Sequence, residues 1–200
     1  MNDNIKSILL TIVIVILVSG LFFFMLKGIS ELAYAEDSYQ LPISQPQVID
    51  WFSTEGEMIL NRDNGIFKRG ETAILVDVET GKFWSVYRYG GKWHADVTPT
   101  TKEDTAIMKE AVGKWSWDRR GGIILLDGTW YACSYFCMPH GGSPLSANDF
   151  GGHFCIHFSN SKIHNSGKID LKHQKIIKEV TYLELNEIVT RAIFSHIILT

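Results

Sequence analysis

The chain has 200 residues, 19 of them basic and 22 acidic, for a formal net charge of −3. The lysines are scattered among acids and form no basic stripe, which argues against a nucleic-acid partner. Three cysteines are an odd number for an exported chain and leave at least one thiol free, or paired between chains.

Ile8 to Leu26 carries no charge and is interrupted only by Thr11, Ser19 and Gly20. That length suits a helix crossing a bilayer. Lys6 and Lys27 flank it evenly and give almost no orientation signal. Ala33-Tyr34-Ala35, followed by Glu36 and Asp37, has the small-x-small form of a signal peptidase site, although it lies far beyond the apolar run. The expected organisation is a membrane anchor or uncleaved signal over 1–27, a linker over 28–50 containing Pro42 and Pro46, and an extracytoplasmic domain over 51–200. Cleavage after Ala35 would release the same domain into the same compartment. About 165 residues remain beyond the tether start, enough for one well-cored domain.

Thr72 to Val78 is β-rich and ends at the turn Glu79-Thr80-Gly81. Phe83 to Tyr89 follows with aromatic and β-branched enrichment, then Gly90-Gly91 turns the chain into Lys92 to Val97. These segments read as hairpins, so the predicted fold class is mainly β with a few helices and a sheet that is at least partly antiparallel. Thr101 to Val112 reads as a helix: Thr100 or Thr101 caps it, Glu103 and Asp104 load its first turn, and Gly113 ends it. Asp127-Gly128 between Ile123-Ile124-Leu125-Leu126 and Thr129-Trp130-Tyr131-Ala132 is the strongest hairpin signal in the chain. The second strand of that hairpin is expected to fade near Cys133-Ser134. Met138 to Phe150, with Pro139 and Pro144, reads as an irregular loop. A last helix is expected from Asp170, burying Leu171, Ile176, Ile177, Val180 and Leu183, and the tail from Ile188 to Leu199 is apolar enough to pack on the core.

The chemistry concentrates in Gly152-His153-Phe154-Cys155-Ile156-His157. Strand periodicity puts His153, Cys155 and His157 on one face and the apolar residues on the other. His140 arrives from the preceding segment with Gly141 and Gly142. An imidazole can take the thiol proton, and the resulting thiolate–imidazolium pair is a nucleophile. The glycines would let backbone amides or a substrate approach closely. The same residues admit two other readings. His140, His153, Cys155 and His157 are all acceptable zinc ligands, though in no recognised spacing. A buried cysteine among histidines bonded only to backbone is the third.

These clusters resemble the catalytic signature of the L,D-transpeptidases of the YkuD type. His140-Gly141 matches that family's histidine-glycine pair, and Gly152 to His157 matches its second cluster, with Cys155 at the nucleophile. The chain also resembles exported proteins of spore-forming and related bacteria that carry GHFCIHF-like strings. The resemblance implies a curved mixed sheet and acyl transfer on peptidoglycan stem peptides through a thioester on Cys155. It further implies His140 as base, oriented by the Gly141 carbonyl, with His153 shaping the acyl and oxyanion site. No cofactor is implied. Three positions depart from the family: Gly152 stands for serine, Phe154 for glycine and His157 for arginine. The last removes a fixed donor fork for a carboxylate. A Cys-His peptidase or amidase acting on the wall, and a non-catalytic wall-binding protein with a zinc site, are the alternative functions.

Further pocket candidates lie outside the signature. His94 and Asp96, two apart on a strand, can face the same side and reach His157 or substrate. His164 follows Cys155 closely enough to line a rim. Trp115 and Trp117, with Arg119 and Arg120 beyond them, could grip a glycan-peptide strand or pack in the core. His173 is expected in solvent. Cys133 and Cys137 could form a local disulfide, or be small buried residues.

Overall fold

The computed structural model describes residues 45–52, 66–164 and 166–197. The expected anchor over 1–27, the Ala35 cleavage site and most of the linker lie outside these residues. Among the described residues no helix is long and apolar enough to cross a membrane.

Six strands carry the fold: β1 (Thr72–Asp77), β2 (Phe83–Gly90), β3 (Ala95–Pro99), β4 (Arg120–Leu126), β5 (Thr129–His140) and β6 (His153–His157). They close into a barrel in the order β1-β2-β3-β6-β5-β4, and every neighbouring pair is antiparallel. The mainly β class is as expected, whereas the mixed sheet is not. Parallel pairing among the described residues is confined to the isolated bridges Gln47–Tyr131 and Asp50–Ser159. Short hairpins between β1 and β2 and between β4 and β5 dictate antiparallel neighbours, and closure removes exposed edges.

Local sequence explains most elements. β2 alternates strictly between half-buried and buried residues, which places Trp84, Val86 and Arg88 inside. The Arg88 guanidinium is held there by the carbonyls of Phe67, Gly90 and Gly91 and lies over the Trp51 ring at 5.3 Å. Asp127 and Gly128 both have positive φ, 47° and 75°, the backbone that a two-residue hairpin matching strand twist requires. Helix α1 (Lys102–Val112) is capped by a reciprocal Thr101–Asp104 box and ends at Gly113. Asp104 also accepts a hydrogen bond from the Ser85 amide at 2.8 Å, tying the helix to β2.

β5 is the main departure. Instead of fading near Cys133 it runs to His140, because β4 pairs with its first half and β6 with its second. Pro139 sits within the register shift between Phe136 and His140, where the missing amide proton costs little. Cys133 and Cys137 are therefore two buried, free thiols on one strand. Residues four apart on a strand are separated by about 13 Å, so the local disulfide is excluded by geometry.

Helix α2 (Leu171–Val180), capped by Asp170, packs on β4 and β5. Its buried face is His173, Ile177 and Val180, while Leu171 is 79% exposed. The expected face, with Leu171 inside and His173 in solvent, is thus rotated. Helix α3 (Leu185–Ile197) follows, with Leu185, Ile188 and Ala192 buried. Before β1, Trp51 is fully buried and stacks on Phe158 at 5.6 Å. The stretch from Gln47, read as the end of a tether, runs against the barrel.

β6 is buried along its whole length. Phe154 and Ile156 enter the barrel core, and His153, Cys155 and His157 point the other way, where loops and α2 cover them. That second covered face is the site.

Candidate active site

Register decides which side chains meet Cys155. Asp96 of β3 stands opposite it on one side and Phe136 of β5 on the other. Cys155 and Phe136 line a pocket of about 430 Å³, with Asp96 buried beside them. His140 and His153 are themselves opposed across β5 and β6, so the end of the unexpectedly long β5 delivers His140 to the thiol. Sγ of Cys155 lies 3.5 Å from His140 Nε2. The other ring nitrogen, Nδ1, is 3.0 Å from the Met138 carbonyl and donates to it, since a carbonyl can only accept. This leaves Nε2 as the basic nitrogen, facing the thiol. The orienting carbonyl is Met138's and not Gly141's, which corrects the expectation.

Gly141 and Gly152 have a sharper role than flexibility. At Gly141 (φ 61°) a Cβ would lie 2.4 Å from His153 Cε1, and at Gly152 (φ 155°) one would lie 2.8 Å from the His140 carbonyl oxygen. Both glycines let the two site histidines approach, their rings 4.1 Å apart. His153 Nδ1 is 3.2 Å from the Gly142 carbonyl and 2.8 Å from the Tyr89 hydroxyl. Burial and the neighbouring Asp96 and Cys155 push the Tyr89 hydroxyl up to about 12, so it stays protonated.

A second group sits on the opposite side of the thiol. Asp96 Oδ1 is 3.7 Å from Cys155 Sγ and 3.3 Å from both His94 Nε2 and His164 Nε2. The two Nε2 atoms are 2.9 Å apart. His94 and Asp96 do share one side, as their spacing predicts, and His164 does reach the rim. His94 stacks on His157 at 4.3 Å, and His157 stacks on His173 at 3.8 Å with planes 5° apart. His173 is anchored by Ser134 Oγ at 2.9 Å.

Electrostatics are set by burial. Burial and then the Asp96 carboxylate push the Cys155 thiol well above its ordinary range, so the free thiol is neutral and not the ready thiolate the sequence suggested. Burial alone would raise the Asp96 carboxyl, but its contacts with His94 and His164 outweigh this and hold it below the usual value. Burial lowers His153, His157 and His164, with neighbouring histidines adding repulsion. The same cause takes His173 down to about 3.

The aromatic segment divides. Trp117 lines the pocket with its ring 5.1 Å from His140. Trp115 packs edge-on against Phe150 at 5.3 Å beneath Lys109 and does not reach the pocket. Arg119 enters the pocket wall through a 2.6 Å ion pair with Asp170. Arg120 turns away, to Asp77. Sequence reasoning missed Tyr89, Phe136, Asp170 and His173 as site residues. For His173 the available signal was its i, i+4, i+7 spacing with Ile177 and Val180 on α2.

Comparison with family models, curated proteins and solved structures finds no match. Function therefore rests on the chemistry of these side chains.

Proposed function

We propose that this chain is a cysteine acyltransferase that acts on peptidoglycan stem peptides through a thioester on Cys155. The supporting observation is the polarised pair: a thiol 3.5 Å from a histidine nitrogen whose tautomer is fixed by the Met138 carbonyl on the far side of the ring. The choice of substrate comes from the resemblance to L,D-transpeptidases and from the expected membrane tether, which would hold the domain against the wall.

The thiol is protonated at rest, so proton transfer and attack are coupled. His140 Nε2 takes the Cys155 proton as sulfur adds to the donor peptide carbonyl. The imidazolium then returns that proton to the departing amine, leaving the acyl group on sulfur. An acceptor amine, or water, repeats the sequence in reverse: His140 removes its proton, the new bond forms at the carbonyl carbon, and Cys155 regains its thiol. His153 stands beside both groups, and with its Nδ1 held at the Gly142 carbonyl its ring shapes the space for the acyl group. The Trp117 and Phe136 rings give the pocket an apolar wall beside the reacting groups. Water as acceptor makes the same site a peptidase.

The test is intact-mass analysis of the full chain, purified in detergent, after incubation with purified peptidoglycan fragments. An acyl adduct that Cys155→Ala and His140→Ala both abolish is the expected result, and the released products separate transfer from hydrolysis. Folded protein that forms no adduct and no product across a range of fragments overturns the reading.

A further inference from the structure

We propose that His94, Asp96, His164 and Cys155 form a binding site for one divalent zinc-type metal ion. The four donor atoms all lie within 4.8 Å of one another, and the three edges that meet at Asp96 Oδ1 match those around a coordinated ion. Tetrahedral zinc, with bonds of about 2.0–2.2 Å to nitrogen and oxygen, separates such donors by about 3.3 Å; a sulfur and an oxygen ligand stand about 3.6 Å apart. The corresponding distances are 3.3 Å from Asp96 Oδ1 to each histidine nitrogen and 3.7 Å to Cys155 Sγ. The histidine nitrogens, at 2.9 Å, are slightly closer than the ideal.

Hydrogen bonding points the same way. His94 Nδ1 lies 2.7 Å from the Lys162 carbonyl and must donate to it. Nε2 is therefore the nitrogen left to face a carboxylate oxygen and a second imidazole nitrogen, in a place where Asp96 and His94 are almost fully buried. A ring nitrogen fixed by a backbone carbonyl, with the other nitrogen on a metal, is how proteins set histidine ligands. The frame is independent of the thiol: Lys162 also donates its amide to the Trp93 carbonyl at 2.9 Å, which clamps the two segments that carry His94 and His164.

The donor set of two imidazoles, a carboxylate and a thiol selects a borderline transition metal over calcium or magnesium, which favour oxygen. On binding, Cys155 loses its proton to solvent and a sulfur–metal bond forms. A consequence that rests on the acyl-transfer reading is that this ion masks the nucleophile, so the metal-loaded chain is inactive.

Cobalt(II) serves as the spectroscopic probe, added to the full chain freed of metal by a chelator. The expected result is saturable binding of one ion per chain, with the strong visible absorption of a four-coordinate site and a sulfur-to-cobalt charge-transfer band in the near ultraviolet. Cys155→Ser removes that band. His164→Ala, at a position 44% exposed and so tolerant of change, weakens binding by about 100-fold in competition with a chelator. His140→Ala leaves binding and spectrum unchanged while abolishing acylation, which separates failure of the metal site from failure of the catalytic reading. Absence of a saturable cobalt signal from folded protein, or binding indifferent to His164→Ala, overturns the proposal. So does a site lost in His140→Ala, which would place the ion on His140, His153 and Cys155 instead.

Discussion

Asp96 and Cys155 face each other directly across β3 and β6, with Oδ1 3.7 Å from Sγ. A carboxylate beside a buried thiol opposes formation of the thiolate. In metal-free protein, Asp96→Asn is expected to speed alkylation of Cys155 at pH 8 by about tenfold, equivalent to ~1.4 kcal/mol of relieved repulsion. Iodoacetamide labelling followed by mass spectrometry reads the rate, and an unchanged or slower rate would remove Asp96 as the controlling charge.

His140 acts through its free Nε2. His140→Gln keeps much of the ring's volume and loses the base, so acylation should fall by about 10²–10⁴-fold with little change in thermal stability. A loss of stability equal to that of a core substitution would mean that the residue is structural.

Gly141 is fixed by contact with His153. Gly141→Ala places a Cβ 2.4 Å from the ring at a positive φ, so His153 must move or the turn must distort. The expectation is a folded protein with at least about tenfold slower acylation. Unaltered kinetics would show that the position of His153 does not matter to the reaction.

His173 makes the fold acid-sensitive. Its value is lowered from 6.5 to about 3 by burial first of all, so between those pH values the unfolded chain holds a proton that the folded chain excludes. The stability from this group is present above about pH 6.5, declines as pH falls, and has been lost by about pH 3, with a limiting slope of ~1.4 kcal/mol per pH unit. Urea unfolding at pH 6, 5 and 4 should show stability falling with pH through His173 together with the similarly lowered His153, His157 and His164, and His173→Gln should reduce the slope by up to about one proton's share. A mutant with the wild-type slope would assign the acid sensitivity elsewhere.

Away from the site, Asp77 is fully buried and receives Arg120 in a two-point pair at 3.0 and 2.8 Å, plus the Tyr135 hydroxyl at 2.8 Å. These bonds tie β1, β4 and β5 together where the barrel closes. Asp77→Asn removes the buried half of this pair, leaving Arg120 only the exposed Glu79 carboxylate, and is expected to cost about 3–5 kcal/mol. Glu79→Gln, which removes the exposed second carboxylate on Arg120, should cost under about 1 kcal/mol. Urea midpoints of the two variants test the difference in depth.

Local pattern by itself determined the parts of this protein that depend on near neighbours. A period of two put His153, Cys155 and His157 on one face, a capping pair and a glycine bounded α1, and Asp127-Gly128 set a hairpin. Those features follow from backbone geometry over a few residues, and so they could be read directly. Tertiary structure decided the rest. β5 extends to His140 because strands on both sides pair with it, His173 is buried because α2 lies across β5, and His94 meets His164 across 70 positions of sequence. Closing a barrel brings together residues whose separation leaves no local periodic signal, and that closure put a carboxylate and two imidazoles beside the thiol that the sequence had already marked.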